Sequence, residues 1–107
     1  MPVIRLEYDD AVVSEEEARA ICDAAQKVVS DATGIKEVFV YGNSSHIKVK
    51  IAPIEIWVEM SDHKITDAAA LAKSFREGLS AWKNQVNFPH LINLTLIPMH
   101  WKLELDI

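Results

Sequence analysis

The sequence is short of several features that whole classes of protein require. Only one of its 107 residues is cysteine, so no disulfide can form within the chain and no cysteine pair can bind zinc. Its three glycines are too few to build a dinucleotide-binding or phosphate-binding loop, and no cofactor is expected. No apolar run approaches the ~20 residues that cross a membrane. Acidic Glu7, Asp9 and Asp10 interrupt the amino end before a signal-peptide core forms, so the expected location is the cytoplasm.

Positive charge is also in deficit. Eleven Lys and Arg stand against sixteen Asp and Glu, which gives a net charge of −5 at pH 7. No basic field would attract phosphate groups, so neither a nucleic acid nor a membrane surface is an expected partner. No two of the four histidines are two or four residues apart, so no metal site is predicted.

What is present is the composition of an ordinary globular domain. Half of the residues are apolar and a quarter are charged. At this length the chain is expected to fold as one domain, residues 1–107, and to bury a sizeable core without disulfides or structural metal ions.

The first third of the chain predicts a strand followed by a helix. Val3 to Tyr8 opens apolar and then alternates apolar with polar residues, which is typical of a strand. Ser14 begins a capping box that Glu17 completes, and the helical spacing of apolar residues after it ends at Gly34. Cys22 lies on that apolar stripe, which predicts a buried structural thiol.

Three strands are predicted in the middle of the chain. Val38 to Tyr41 is a short apolar run, and the polar cluster 42–45 after it predicts a turn. Ile47, Val49 and Ile51 alternate with lysines, as in a half-solvated strand. Ile54 to Met60 alternates in the same way after Pro53. We expect a turn at 61–64 to follow.

The last part of the chain predicts a helix and two strands. Apolar residues from Ala68 to Trp82 keep helical spacing in a helix that begins near Thr66. Leu91 to Ile97 is nearly continuous in apolar residues, which is typical of a strand buried on both faces. Trp101 to Ile107 alternates apolar and polar residues and predicts a terminal strand.

This order indicates an α/β fold, α+β in some schemes, in which a β-α-β unit occurs twice. Two such units with right-handed crossovers form one sheet with both helices on one face. The other face of the sheet then has no cover. Because we expect it to carry Trp57 or Ile47, it should be buried against other subunits, which predicts an oligomer.

The Met-Pro start at the head of a β-α-β pair resembles the tautomerase superfamily. The whole chain is similar to its longer members, the macrophage migration inhibitory factor (MIF) type, which carry two such units. The helix end Ala32-Thr33-Gly34 followed by a short strand also looks like that type, and the stretch 53–79 resembles uncharacterised bacterial relatives. The resemblance implies a homotrimer with sites between subunits near each amino terminus.

The resemblance also implies a catalytic role for Pro2. Once Met1 is removed, Pro2 has a secondary amine that an apolar cleft would hold neutral, because desolvation disfavours the cation. A neutral amine can take a proton alpha to a carbonyl and return it elsewhere, which is a keto–enol tautomerisation of a small keto or enol acid. Lys36, Tyr41, Lys48 and Arg76 are the candidates for holding the negative charge of the substrate.

A second hypothesis stays open beside the enzyme. Where some members of the family have substrate-binding arginines, this chain has Ala11-Val12 and Phe39. The chain would then be a non-catalytic assembly or ligand-binding protein with the same fold. If Met1 stays attached, the nitrogen of Pro2 is an amide without basicity, and the non-catalytic hypothesis is favoured.

Overall fold

The computed structural model describes every residue, Met1–Ile107. It has two long helices and four strands. In chain order they are β1 Val3–Tyr8, α1 Glu15–Thr33, β2 Phe39–Ser44, β3 Ile54–Ser61, α2 Ala68–Val86 and β4 Ile92–Met99, with a 3-10 turn at Asp62–Lys64 before α2.

Local signals set the ends of α1 as the sequence predicts. The Ser14 hydroxyl accepts a hydrogen bond from the amide of Glu17, and the Glu17 carboxylate accepts one from the amide of Ser14. Gly34 ends the helix in the left-handed conformation, with φ of 73°, which a residue without a Cβ adopts at little cost. The predicted helix is confirmed.

Helix α2 is also capped at both ends, by residues of other types. The carboxylate of Asp67 accepts a hydrogen bond from the amide of Ala70 and begins the helix. Asn87 ends it in the left-handed conformation, with φ of 56°. The helix therefore starts two residues after the Thr66 that the sequence indicates.

The four strands form one mixed sheet in the order β2-β1-β3-β4. Strands β1 and β2 are parallel, as are β3 and β4, while the central pair β1 and β3 is antiparallel. Each parallel pair is joined through one helix, so the chain contains two β-α-β units, as predicted.

Both helices pack on the same face of this sheet. One core cluster joins Ile4 and Leu6 of β1 and Ile56 and Val58 of β3 to residues of α1 and α2. Phe75 of α2 is its largest fully buried side chain, with none of its surface exposed. The two helices approach closely at Gly78, where an added Cβ would lie 2.8 Å from a methyl carbon of Val28.

The predicted turn at 42–45 is wrong for its first three residues, because β2 continues to Ser44. Gly42 faces the helices, and a Cβ at this position would lie 2.8 Å from the sulfur of Cys22. The glycine therefore makes room for a side chain of α1 and does not mark a turn. Cys22 itself is half-buried, not fully buried as expected, and burial raises the pKa of its thiol.

Two predicted strands are not strands in the single chain. Ile47 to Ile51 and Trp101 to Ile107 have no regular secondary structure, and Ile47 and Val49 are 83% and 97% exposed. Alternation identifies a segment suited to a half-buried strand, but a strand also needs a hydrogen-bonded neighbour. No strand of the chain takes that place.

Strand β4 is also less buried than the sequence predicts. Its side chains alternate between half-buried and exposed, and Pro98 lies within it. Both features follow from its place at the edge of the sheet, where a proline leaves no ladder bond unmade and one flank has no neighbouring strand.

The face of the sheet away from the helices is more polar than expected. Trp57 lies there half-buried, as predicted, but Ile47 is not part of the sheet. Beside Trp57, the guanidinium of Arg5 binds the carboxylate of Glu59 at 2.8 Å. This face therefore combines an aromatic side chain with paired charges.

Candidate functional site

Pro2 lies at the end of the sheet where β1 begins. Its carbonyl accepts a hydrogen bond from the amide of Phe39 at 3.1 Å, and its side chain is among those with less than 2% of their surface exposed. When the register of β1 is extended by one residue, Pro2 lies opposite Met60 of β3 and beside Val38, which precedes β2. Both are buried apolar residues, so the ring of Pro2 is held in apolar surroundings.

The direction of the Pro2 nitrogen follows from this position. With Met1 attached, the nitrogen is a planar amide and cannot accept a proton. When Met1 is removed, the ring still fixes the bonds to Cα and Cδ. The hydrogen and the lone pair of the amine then point to the side where Met1 was attached, beyond the end of β1.

Polar side chains cluster at this same end of the sheet. Ser61, the last residue of β3, is only 5% exposed, and its hydroxyl is hydrogen-bonded to Nδ1 of His63 in the 3-10 turn. Beyond them, Nδ1 of His100 lies 3.7 Å from the carboxylate of Asp62. The sequence indicates only a turn at 61–64 and histidines without ligand spacing, because the burial of Ser61 comes from its neighbours in space.

Lys36 is the one predicted substrate-binding residue at the same end as Pro2. It lies between α1 and β2, three residues before the Phe39 whose amide binds the carbonyl of Pro2. Its side chain is exposed and forms no ion pair, so its ammonium group is available to an anion. Lys36 therefore lies at the same end of the sheet as Pro2, with an ammonium group that no carboxylate of the chain neutralises.

Lys48 and Tyr41 lie elsewhere in the single chain. The ammonium of Lys48 lies 3.0 Å from the carboxylate of Asp9 and also binds Asp10, at the opposite end of β1. The hydrogen bonds that the ammonium donates to Asp10 and Asp9 raise the pKa of Lys48. The amide of Ala11 and the ammonium of Lys48 lower the pKa of Asp9.

These interactions fasten the segment after β2 to the turn after β1. Tyr41 lies on the face of the sheet away from the helices, with the guanidinium of Arg5 5.9 Å from the centre of its ring. Neither Lys48 nor Tyr41 contacts Pro2 within one chain.

Arg76 lies in a cavity between α2 and β4. The cavity has a volume of about 480 Å³, is lined by Arg76, Lys73 and Lys83, and has an apolar floor that includes Ile92 and Leu94. The sheet register pairs Ile92 with Ile54 and Ile54 with Tyr8, so the cavity lies toward the end of the sheet opposite Pro2. The structure therefore separates Arg76 from Pro2 within one chain.

Two general properties of the chain bear on the chemistry available to it. No group of three or more His, Cys, Asp or Glu side chains is arranged to hold a metal ion. Neither helix is both long and apolar enough to cross a membrane. The polar side chains described at the end of the sheet near Pro2 are those of Lys36, Ser61, Asp62, His63 and His100.

Comparison with known proteins identifies the fold. No protein-family model matches the sequence, and no curated protein matches it either. Among solved structures, a malonate semialdehyde decarboxylase inhibited by 3-bromopropiolate has a TM-score of 0.71 at 13% identity, covering 98% of this chain and 91% of its own.

Two further solved structures have a similar fold. MIF from Toxoplasma gondii has a TM-score of 0.60 at 20% identity, covering 98% of this chain and 96% of its own. A domain of unknown function, DUF1904, from Sebaldella termitidis has a TM-score of 0.57 at 13% identity, covering 94% of this chain and 90% of its own. At these identities the likeness shows the fold alone.

Proposed function

Because the chain has the fold of the tautomerase superfamily, we propose that it is a keto–enol isomerase of a small oxo acid that uses the nitrogen of Pro2 as its base. The observation that carries this proposal is the position of Pro2. Its ring is buried, and its nitrogen lies just before the first residue of β1. The polar side chains of Ser61 and His63 lie at the same end of the sheet. Removal of Met1 is a required step of the proposal.

The chemistry needs a neutral amine at neutral pH. A free α-amino group has a pKa near ~8, and apolar surroundings lower it because they disfavour the cation. The neutral nitrogen takes a proton from the carbon next to the substrate carbonyl, and the C–H electron pair becomes part of an enolate. Return of that proton to a different atom completes the isomerisation, and no atom is gained or lost.

The substrate class is inferred from charge. The ammonium of Lys36 is free and lies at the same end of the sheet, so it can bind a carboxylate. Malonate semialdehyde, the substrate named for one structural neighbour, is itself a small oxo acid. A second structure of such a decarboxylase includes a variant whose first-position proline is replaced by alanine. Both structures are named for an enzyme of a small oxo acid, which supports that substrate class here.

The first test is to separate the two forms of the amino terminus. Intact-mass spectrometry of protein from its native host shows whether Met1 is removed. We then expect the protein that lacks Met1 to accelerate the ketonisation of the enol of phenylpyruvate, and the protein that retains Met1 to be inactive. Equal rates for the two forms would exclude the nitrogen of Pro2 as the base.

A specific observation favours the alternative, a non-catalytic assembly or ligand-binding protein. Three of the four predicted anion-binding residues lie away from Pro2 within one chain, and Lys48 is already neutralised by two carboxylates. This alternative predicts that the form without Met1 is also inactive toward oxo acids.

We further propose that three copies assemble. Strands β2 and β4 are the edges of the sheet, and the alternating segments 47–51 and 101–107 have no partner strand in the chain. An exposed edge and an unpaired alternating segment suit each other, and pairing between copies satisfies both. Light scattering should give about three times the 12.0 kDa of one chain. A stable monomer would contradict this assembly.

A further inference from the structure

Ser61 is the only polar residue among the buried residues of the chain. A buried hydroxyl requires a hydrogen-bond partner, and Ser61 has one in Nδ1 of His63, two residues further on. His63 is itself exposed, so its imidazole reaches the hydroxyl from the surface of the molecule. The turn Asp62–Lys64 therefore holds a serine hydroxyl in a fixed place at the end of β3.

The register of β1 and β3, extended past Val3, brings Ser61 into the row of Met1, the residue bonded to the Pro2 nitrogen. Strands β1 and β3 pair Val3 with Glu59, and two more residues of the same register bring Met1 opposite Ser61. Ser61 also pairs with Met99 of β4, so it lies in the row immediately beyond Pro2. Because opposite residues of antiparallel strands are about 5 Å apart, a molecule that occupies the place of Met1 would lie next to the hydroxyl.

We propose that the hydroxyl of Ser61 donates a hydrogen bond to the carbonyl oxygen of the substrate as that oxygen becomes an enolate, and that His63 is a positioning residue that orients the hydroxyl. This inference rests on the proposed function and assigns a role to the two residues that the sequence did not indicate. With Lys36 on the carboxylate and Ser61 on the carbonyl oxygen, the substrate is an oxo acid that directs the carbon next to its carbonyl toward Pro2.

The hydrogen-bond inventory of the pair allows this role. A hydroxyl can accept one hydrogen bond and donate another. When Nδ1 of His63 carries a hydrogen, it donates to the oxygen of Ser61, and the hydroxyl hydrogen is free for the substrate. In the step itself, the C–H bond of the substrate breaks, its proton moves to the nitrogen of Pro2, and the carbonyl oxygen gains the negative charge. Ser61 forms and breaks no covalent bond, and a donor fixed beforehand costs no reorganisation.

The test is Ser61→Ala in the protein that lacks Met1, with the ketonisation of phenylpyruvate enol as the assay. We expect kcat to fall about 10- to 100-fold with KM nearly unchanged, because the hydrogen bond strengthens only as charge develops on the oxygen. Ser61→Thr, which keeps a hydroxyl, should restore most of kcat. Ser74→Ala is the matched control, since that exposed hydroxyl bonds only the carbonyl of Ala70 in α2.

Variants of His63 separate positioning from mere stability. His63→Asn keeps a donor near the place of Nδ1 and should keep most of kcat, whereas His63→Leu should lose about 10-fold with an unchanged melting temperature. If Ser61→Ala does not fold, Ser61→Cys has a similar volume and only a weak donor, and should show the same fall in kcat.

The outcomes distinguish the two proposals. If Pro2→Ala abolishes the reaction while the Ser61 variants keep full kcat, the role of Ser61 is excluded and the proposed function stands. If Pro2→Ala keeps full activity, the base is wrongly assigned and both proposals fall. A loss of kcat in Ser61→Ala that Ser61→Thr does not restore would show a packing role and would also exclude the hydrogen bond.

Discussion

Replacement of Pro2 by alanine should lower kcat for the ketonisation of a 2-oxo acid enol by about 100-fold or more, in protein that has lost Met1. A positioned general base contributes ~10²–10⁴ to a rate. The variant still has an amine, but its primary nitrogen turns freely about the bond to Cα, whereas the ring of proline fixes it. It is also better hydrated, which favours the protonated form that cannot accept the substrate proton.

The fold should survive this substitution. The carbonyl of residue 2 remains in place to accept the amide of Phe39, and the lost ring is small. Pro53→Ala is the matched control, because Pro53 also lies next to a strand and its carbonyl accepts the amide of Asp9 at 3.0 Å. Unchanged kcat in Pro2→Ala, measured beside an unchanged melting temperature, would contradict the assignment of the base.

The second large effect concerns the core beneath the sheet. We expect Phe75→Ala to reduce the free energy of unfolding by ~3–5 kcal/mol, since the ring is fully buried and its removal leaves a cavity. A domain of this size has a total stability of ~5–15 kcal/mol, so the variant would lose a large share of it. Urea denaturation followed by the fluorescence of the tryptophans measures the change.

The comparison needs a control and a fixed protein concentration. Val86→Ala removes apolar atoms from the end of the same helix, but Val86 is half exposed, so its effect should stay within about 0.5 kcal/mol. Protein concentration must be constant, because unfolding that is linked to dissociation depends on it. A loss below ~1 kcal/mol for Phe75→Ala would mean that the core around α2 closes over the missing ring.

Features of this fold that depend on residues close in sequence could be predicted, whereas features that depend on distant residues could not. Ser14, Glu17 and Gly34 predict the ends of α1 correctly, because capping hydrogen bonds join residues three or four apart. Gly42 is a misleading turn signal. A glycine is present there because a side chain would collide with the sulfur of Cys22, twenty residues away and on another element. The alternation of 47–51 misleads for a related reason, since a strand exists only where another strand pairs with it.

The candidate site shows the same division. Pro2 is indicated by its place in the sequence, whereas Lys36 follows Ile35, the residue at the position where the MIF type has its lysine. Lys48 is instead bound to Asp9 and Asp10, which no spacing reveals because 38 residues separate Lys48 from Asp10. Ser61 and His63 are neighbours in sequence, but only burial by the sheet distinguishes them from an ordinary turn.

The sequence by itself determined the two helices with most of their ends and the existence of all four strands, although it placed the end of β2 three residues too early. Periodicity and capping hydrogen bonds involve residues within one or two turns of backbone, so the local sequence determines them. Only the tertiary structure decided the rows of the sheet, which bring Arg5 to Glu59 across 54 residues and place Ser61 beside the amino terminus. Those contacts depend on how whole elements pack, and packing free energy is a property of distant residues taken together.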